Sequence, residues 1–262
     1  MRYRATLAYD GTAYQGFQRQ ISDTPTIQLA VEKAVRAVTG QAAIVNGAGR
    51  TDAGVHATGQ VIAFDVDWNH GEAALLRAIN ANLPDDIALQ DISAAPGFHP
   101  RFDATARLYR YRVFQAEQRQ PMMRLQTWYV RWELNLAFMS QAARMLEGEH
   151  NFAAFGKPPQ GDNTVRRVFQ SRWFMQPQRT GVLWIYNIEA NAFLQHMVRR
   201  IVWHMVAVGR GKESLTDFEI YFRRAQLPQE GSIAPPQGLT LEQVRYREGD
   251  NSKPPPTKMQ NN

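Results

Sequence analysis

Gly47-Ala48-Gly49-Arg50-Thr51-Asp52-Ala53-Gly54-Val55-His56-Ala57 lies between two short apolar runs, residues 42–45 and 60–64. Both runs are rich in Val and Ile and of strand length, so the segment reads as a loop joining two strands. Three glycines in eight residues surround one arginine and one aspartate. Glycine lifts the Cβ restriction, which permits tight or left-handed turns and close approach by something bulky. A carboxylate on such a loop is held by backbone geometry and faces outward, a position suited to chemistry. An ordinary turn is the competing reading, because Asp also caps nearby amides. A Rossmann fingerprint would need a third glycine where Asp52 stands, and the phosphate-cradling Walker loop needs a Lys-Ser/Thr pair that is absent. Asp52 and His56 are four residues apart and could share a metal, but no third ligand follows at a suitable spacing, so no metal site is expected.

Upstream of the loop, residues 2–9 alternate. Tyr3, Ala5, Leu7 and Tyr9 share one face and Arg2, Arg4 and Thr6 the other, the pattern of a half-buried strand. Asp10-Gly11-Thr12 turns it into Tyr14-Gln15-Gly16-Phe17-Gln18-Arg19-Gln20. That segment is either a surface loop or one whose amides and guanidinium meet phosphates and base edges. Ile27, Ala30, Val31, Ala34, Val35 and Val38 then recur at helical spacing, with Gln28, Glu32, Lys33 and Arg36 opposite. The helix follows Thr24-Pro25-Thr26 and stops at Gly40. Downstream of the loop, a helix over 71–82 and a strand over 87–92 complete the order β-α-β-β-α-β, the ferredoxin-like arrangement.

A linker with Pro96, Gly97 and Pro100 leads to Phe98-His99-Pro100-Arg101-Phe102 and then to a strongly alternating strand. Tyr109, Tyr111 and Val113 share one face of it; Leu108, Arg110 and Arg112 share the other. Interleaved aromatics and arginines suit base stacking beside phosphate contacts. A strand with core tyrosines and a solvated charged face explains them equally well. A helix over 134–146, a strand pair over 164–175 and 182–190, a helix over 193–208, a shorter helix over 215–225 and a strand over 241–246 follow. In the fourth of these elements His196, Arg199, Arg200 and His204 lie off the apolar stripe, and the histidines read as helix surface. The second half thus repeats the pattern of the first. The expected fold is α+β: two ferredoxin-like halves, 1–100 and 101–248, with antiparallel sheets, an active-site cleft between them and a polar tail over 249–262.

Composition limits the partners. The chain of 262 residues is 44% hydrophobic, carries a formal charge of +6 and has a pI near 9.7, which favours a polyanion. Its 30 basic residues are 25 Arg and 5 Lys. The guanidinium fork grips phosphate bidentately and stacks on bases. With no cysteine, disulfides, thiolate zinc sites and Cys nucleophiles are excluded. The first residues lack a signal-peptide core and no run of about 18 apolar residues occurs, so a soluble, cytoplasmic protein with no membrane association is expected.

The loop string Gly49-Arg50-Thr51-Asp52-Ala53-Gly54-Val55-His56-Ala57 resembles, at every position, the signature of the TruA family of tRNA pseudouridine synthases. Tyr9-Asp10-Gly11-Thr12 with Gly16-Phe17-Gln18-Arg19-Gln20, Phe98-His99 with Arg101-Phe102, Arg107 with Tyr109 and Tyr111, Gly148–Phe155, Phe193-Leu194 with Met197-Val198-Arg199, and Ala234-Pro235 with Gly238-Leu239 resemble further family segments. The resemblance covers about residues 3 to 246. It implies that Asp52 is the catalytic nucleophile, that Arg199 pairs with it and favours its charged form, and that Tyr109 is catalytic too, lying against the target uracil, stacking on it and assisting removal of the C5 proton. It also implies substrate contacts by Arg50, Thr51, Gln18, Gln20 and His56, with Arg50 filling the gap left by the displaced base or holding the backbone. The implied reaction isomerises uridine in the tRNA anticodon stem-loop at positions 38–40, by a homodimer and without a cofactor. One departure is Trp203, where the family usually has glycine; its indole must displace a neighbour or face solvent. Two rivals remain: a non-catalytic RNA-binding protein, and an Asp-nucleophile hydrolase, which would need a second carboxylate as acid.

Overall fold

The computed structural model describes residues 1–21, 24–159, 161–224 and 232–247. The expected tail, and the end of the helix expected over 215–225, lie outside them. The first half runs β1 (Arg2–Tyr9), α1 (Ile27–Thr39), β2 (Asn46–Gly47), β3 (His56–Asp65), α2 (Glu72–Asn80) and β4 (Ile87–Ala94). The second runs β5 (Ala104–Gln115), β6 (Trp128–Val130), α3 (Leu136–Arg144), β7 (Gly148–Asn151), β8 (Val165–Gln178), β9 (Gly181–Ala190), α4 (Met197–Gly209), α5 (Leu215–Phe222) and β10 (Leu239–Tyr246).

Strand order carries the architecture. Within the first half β4-β1-β3-β2 are neighbours, and within the second β10-β5-β9-β8. Both orders are what the β-α-β-β-α-β pattern produces. The two sheets are not separate, however. β3 and β10 pair in parallel through Thr240 opposite His56 and Leu241 opposite Ala57, which joins the strands into one ten-stranded, mostly antiparallel sheet. The join is close: a β-carbon at residue 59 would lie 2.1 Å from the carbonyl oxygen of Glu242. Glycine at that position lets the two backbones meet.

The expected apolar faces are the buried ones. Tyr3, Ala5, Leu7 and Tyr9 of β1, and Tyr111, Val113, Trp184, Tyr186 and Ile188 of β5 and β9, are all in the core. In α1, Ile27, Val31, Ala34 and Val35 are buried; Thr26 caps the start through Leu29 N–H and Gly40, at φ 70°, ends it. That cap contributes about 1 kcal/mol. The interleaved arginines of β5 follow the structural alternative: Arg110 and Arg112 reach Glu242, and Arg112 also donates to Thr240.

Three expectations are corrected. Residues 42–45 are not a strand, and β2 is only Asn46–Gly47. The cause lies in α1, where Glu32 accepts Val45 N–H at 3.1 Å and Gln28 donates to the Val45 carbonyl at 3.1 Å. Side chains take the groups a strand partner would have used. Glu32, expected on the solvent face, is consequently buried. The helix expected over 193–208 begins only at Met197, because His196 has φ 63° and breaks the helical path. Trp203 stays partly exposed and stacks on Trp128, ring centroids 5.6 Å apart and planes at 10°.

Candidate active site

The signature loop is built by its own half. Phe17 N–H donates to the Thr51 carbonyl (3.1 Å), Gly54 N–H to the Tyr14 carbonyl (3.3 Å), Ala48 N–H to the Val61 carbonyl (2.8 Å) and Gln60 Nε2 to the Gly49 carbonyl (2.9 Å). Val55 N–H closes back on the Asp52 carbonyl at 3.2 Å, making the tight turn that presents the aspartate. Of the three glycines, Gly54 alone takes a left-handed angle (φ 75°), packed against Pro236. Gly47 is needed for space, since a β-carbon there would lie 2.5 Å from the Phe17 ring.

Arg107, at the start of β5, ties this loop to the other half. Its buried guanidinium donates to four carbonyls: Ala48 (3.0 Å), Arg101 (2.8 Å), Ala104 (3.2 Å) and Asn191 (2.8 Å). One cation thereby fixes the loop, the 98–104 linker and the end of β9. His56 makes a second tie. Its Nδ1 accepts from Gly11 N–H (3.1 Å) and lies 3.0 Å from Asp10, while Nε2 donates to the Gln237 carbonyl (3.2 Å).

Asp52 faces two cationic or ionisable partners from the second half. Arg199 Nη1 donates to Oδ2 at 3.0 Å, and His196 Nε2 lies 3.5 Å from Oδ1. Arg199 is itself steadied, Nε donating to the Ala234 carbonyl at 2.8 Å. The 234–239 segment works as a buckle: Ala234 binds Arg199, the Pro235 carbonyl accepts from Tyr111 (2.7 Å), and the Gln237 carbonyl accepts from His56. Its motif is visible in the sequence, but its service to three site elements is not.

Tyr109 is close by, buried, its ring edge-on to Phe193 at 5.0 Å. Burial, reinforced by Tyr9 and by Asp52, pushes its phenol well above the ordinary value of 10.0. Its hydroxyl has no hydrogen-bond partner among the described residues. His196 is shifted the other way. Burial lowers it from the ordinary 6.5, Asp52 opposes this, and Arg199 and Arg200 lower it further.

The structure brings together Asp52, Arg199 and Tyr109, with Arg50 exposed two residues from Asp52 and without a partner among the described residues. Thr51 is turned inward, buried and bonded to Tyr9 at 2.8 Å, and burial carries the Tyr9 phenol up to about 12. His56 is likewise inside, a brace between the halves. Gln18 and Gln20 are exposed on the neighbouring loop, Gln20 donating to the Gln15 carbonyl. His196 is the residue that the periodicity reading passed over. Its one sequence signal is a place three residues, about one helical turn, before Arg199. Among the described residues no group of three or more His, Cys, Asp or Glu is arranged to hold a metal ion.

A family model described as tRNA pseudouridine synthase matches residues 5–103 and 142–247. Curated relatives similar to the chain include the tRNA pseudouridine synthase A of Chloroflexus aurantiacus, 41% identical over 97% of this chain and 92% of the relative. That of Geobacter sulfurreducens is 41% identical over 92% and 97%, and that of Pseudothermotoga lettingae 36% identical over 94% and 99%.

Proposed function

Because the chain belongs to the tRNA pseudouridine synthase family, an isomerase family acting on tRNA, we propose that Asp52 is its nucleophile and that its target uridines lie at positions 38–40 of the anticodon stem-loop. The observation that carries the assignment is the Asp52–Arg199 pair at 3.0 Å, formed across the two halves beside Tyr109. The reaction breaks the bond from ribose C1′ to uracil N1 and joins C1′ to C5, with no redox change and nothing lost. A carboxylate can serve by attacking C1′, by attacking C6 or by drawing off a ribose proton, and each route asks for a charged, oriented group. Arg199 supplies the orientation. It leaves Oδ1 uncommitted to a hydrogen bond, with His196 Nε2 3.5 Å away.

Tyr109 supplies a face for the uracil, its ring already set by Phe193. The target nucleotide leaves its stack first, at a cost of a few kcal/mol. Arg50 is free to enter the vacated space or to hold the backbone. Gln18 and Gln20 extend the same surface for phosphate and sugar contacts, while Thr51 and His56 act indirectly by fixing the loop. A non-catalytic RNA-binding role would leave Asp52, Arg199 and their supporting bonds without a task. A hydrolase would call for a second carboxylate near Asp52, and the partners of its side chain are a guanidinium and an imidazole.

The reading includes a cytoplasmic homodimer. Residues 170–178 of β8 pair only with β9 among the described residues, because β7 reaches no further than Val168. That open edge carries Phe174 and Met175, with Phe169 next to it, each close to half exposed. An apolar sheet edge of this kind favours self-association. No helix among the described residues is long and apolar enough to cross a membrane. The deciding experiment is release of tritium from tRNA labelled at uridine C5. We expect release by the wild type, none by Asp52→Asn, and modification mapped to positions 38–40.

A further inference from the structure

His196 is, among the described residues, the one non-glycine with a left-handed backbone angle, φ 63°. That conformation is costly for a residue with a β-carbon and persists where surrounding structure enforces it. The helix it precedes does not require it, since the His196 side chain makes no capping bond to α4. What the angle achieves is placement. It brings Nε2 to 3.5 Å from Asp52 Oδ1, the carboxylate oxygen that Arg199 does not hold. At 3.5 Å no hydrogen bond commits Nε2 to carrying a proton. The imidazole remains 32% exposed.

Isomerisation needs a base at C5, a role for which the family resemblance points to Tyr109. After C1′ has passed to C5, that carbon holds both its original hydrogen and the new bond. The C5–H bond must then break, its electron pair restoring the ring double bond between C5 and C6, and N1 must gain a proton. A group that works near neutral pH is required. Tyr109 faces the uracil, but its phenol is held protonated by burial and by the charge of Asp52. It can donate a hydrogen bond, not accept a proton. Asp52 is released as C5 takes its place on C1′ and is then held at Oδ2 by Arg199, with the imidazole of His196, an intrinsically stronger base than a carboxylate, beside its other oxygen.

We propose that His196 is a catalytic base, accepting the C5 proton at Nε2 and so allowing it to be replaced by a proton on N1. This rests on Asp52 acting at C1′. A carboxylate oxygen in contact with C1′ stands about 3–3.5 Å from it, so the attached C5 falls within roughly 5 Å of that oxygen and in reach of the adjoining imidazole. Atoms and charge balance without a co-reactant. The proton leaves C5 for the neutral imidazole, and the imidazolium returns one to the N1 anion or exchanges it with water, which accounts for label appearing in solvent. The groups facing the ring are Asp52 from the signature loop and Arg199 and Arg200 from α4. Burial and the two guanidinium groups outweigh the carboxylate and keep the imidazole neutral at pH 7. The rate should therefore rise with pH through a value below 6.5 and then level.

The test is single-turnover conversion of tRNA carrying protium or deuterium at uridine C5, by wild type, His196→Asn and His196→Ala. Asparagine tolerates the left-handed angle, so the first variant preserves the loop. We expect kcat to fall about 10²–10³-fold in both, with KM within about twofold, a C5 deuterium isotope effect larger than the wild type's, and loss of the acid limb. Free imidazole should restore part of the His196→Ala rate. If either variant keeps wild-type kcat and pH dependence, the proposal is wrong. Loss of rate with no isotope effect and no rescue by imidazole would also overturn it, leaving His196 structural. Full activity of Asp52→Asn would instead overturn the reading on which it depends.

Discussion

The two sides of the site are constructed differently. The Gly47–Ala57 side is held by backbone and side-chain bonds from Tyr14, Phe17, Gln60 and Val61 of its own half, and is braced from across the molecule by Arg107 and Gln237. The 193–199 side has fewer ties: Gln195 N–H to the Lys157 carbonyl at 2.9 Å, Arg200 to the Phe155 and Gln195 carbonyls at 3.3 and 3.4 Å, and a pair between Arg199 and Ala234, Nε to the Ala234 carbonyl at 2.8 Å and Ala234 N–H to the Arg199 carbonyl at 3.2 Å. It also carries, among the described residues, the one strained non-glycine backbone angle. Asp52, the proposed nucleophile, thus sits on the more heavily bonded side, where its position is fixed before substrate arrives. Arg199 and His196, the groups proposed to orient it and to accept a proton, sit on the lightly tied side. Preorganisation is concentrated where bond-making demands the tightest geometry.

This contrast can be broken by experiment. The largest effect is expected at Asp52, where asparagine preserves shape and removes charge: activity in the tritium-release assay should fall by about 10⁴-fold or more while tRNA binding persists. Arg199→Met tests the lightly tied side, and kcat should drop by about 10²–10³-fold with little change in melting temperature. The reverse profile is expected for Arg107→Met. Four carbonyls, one buried and three partly buried, lose their donor, which should cost about 3 kcal/mol, roughly 6–12 °C in Tm by calorimetry. A kcat loss there as large as that of Arg199→Met, with unchanged Tm, would erase the distinction between the two sides. Arg50→Ala should weaken tRNA binding several-fold and lower the slope of log K against log salt by about one, measured by filter binding across a salt series. The smallest effect is a pH shift. Arg200→Gln removes a cation that lowers His196, so the acid limb of kcat should move to higher pH, toward 6.5.

How much of this was legible follows the same division. The signature loop could be read from its string, and so could the buried faces of α1, β1, β5 and β9, because period-two and period-3.6 patterns record burial directly. Residues 42–45 misled because strand composition was present while the hydrogen-bond partners were not. Val45 is served by Gln28 and Glu32, and Ile44 is left exposed. No local pattern announces that a glutamate on the polar face of a helix will turn in to bond Val45 N–H and Arg19. His196 was hidden for a related reason. The apolar stripe of α4 extends smoothly back through Leu194, and periodicity carries no mark of one residue leaving the right-handed region. Trp203 was visible as an oddity, but its partner, Trp128, lies on a three-residue strand too short for the pattern to reveal.

The seam between β3 and β10 sets a mechanical limit. Because the sheet runs from one half into the other, and because Gly59 leaves no clearance over Glu242, the halves cannot swing apart and shut like jaws around an RNA. Adaptation must come from elsewhere, and a nucleic acid that has to bring a paired or stacked base to a fixed anvil must itself bend or fray. Such a protein would sort its substrates by how easily they yield at the chosen nucleotide.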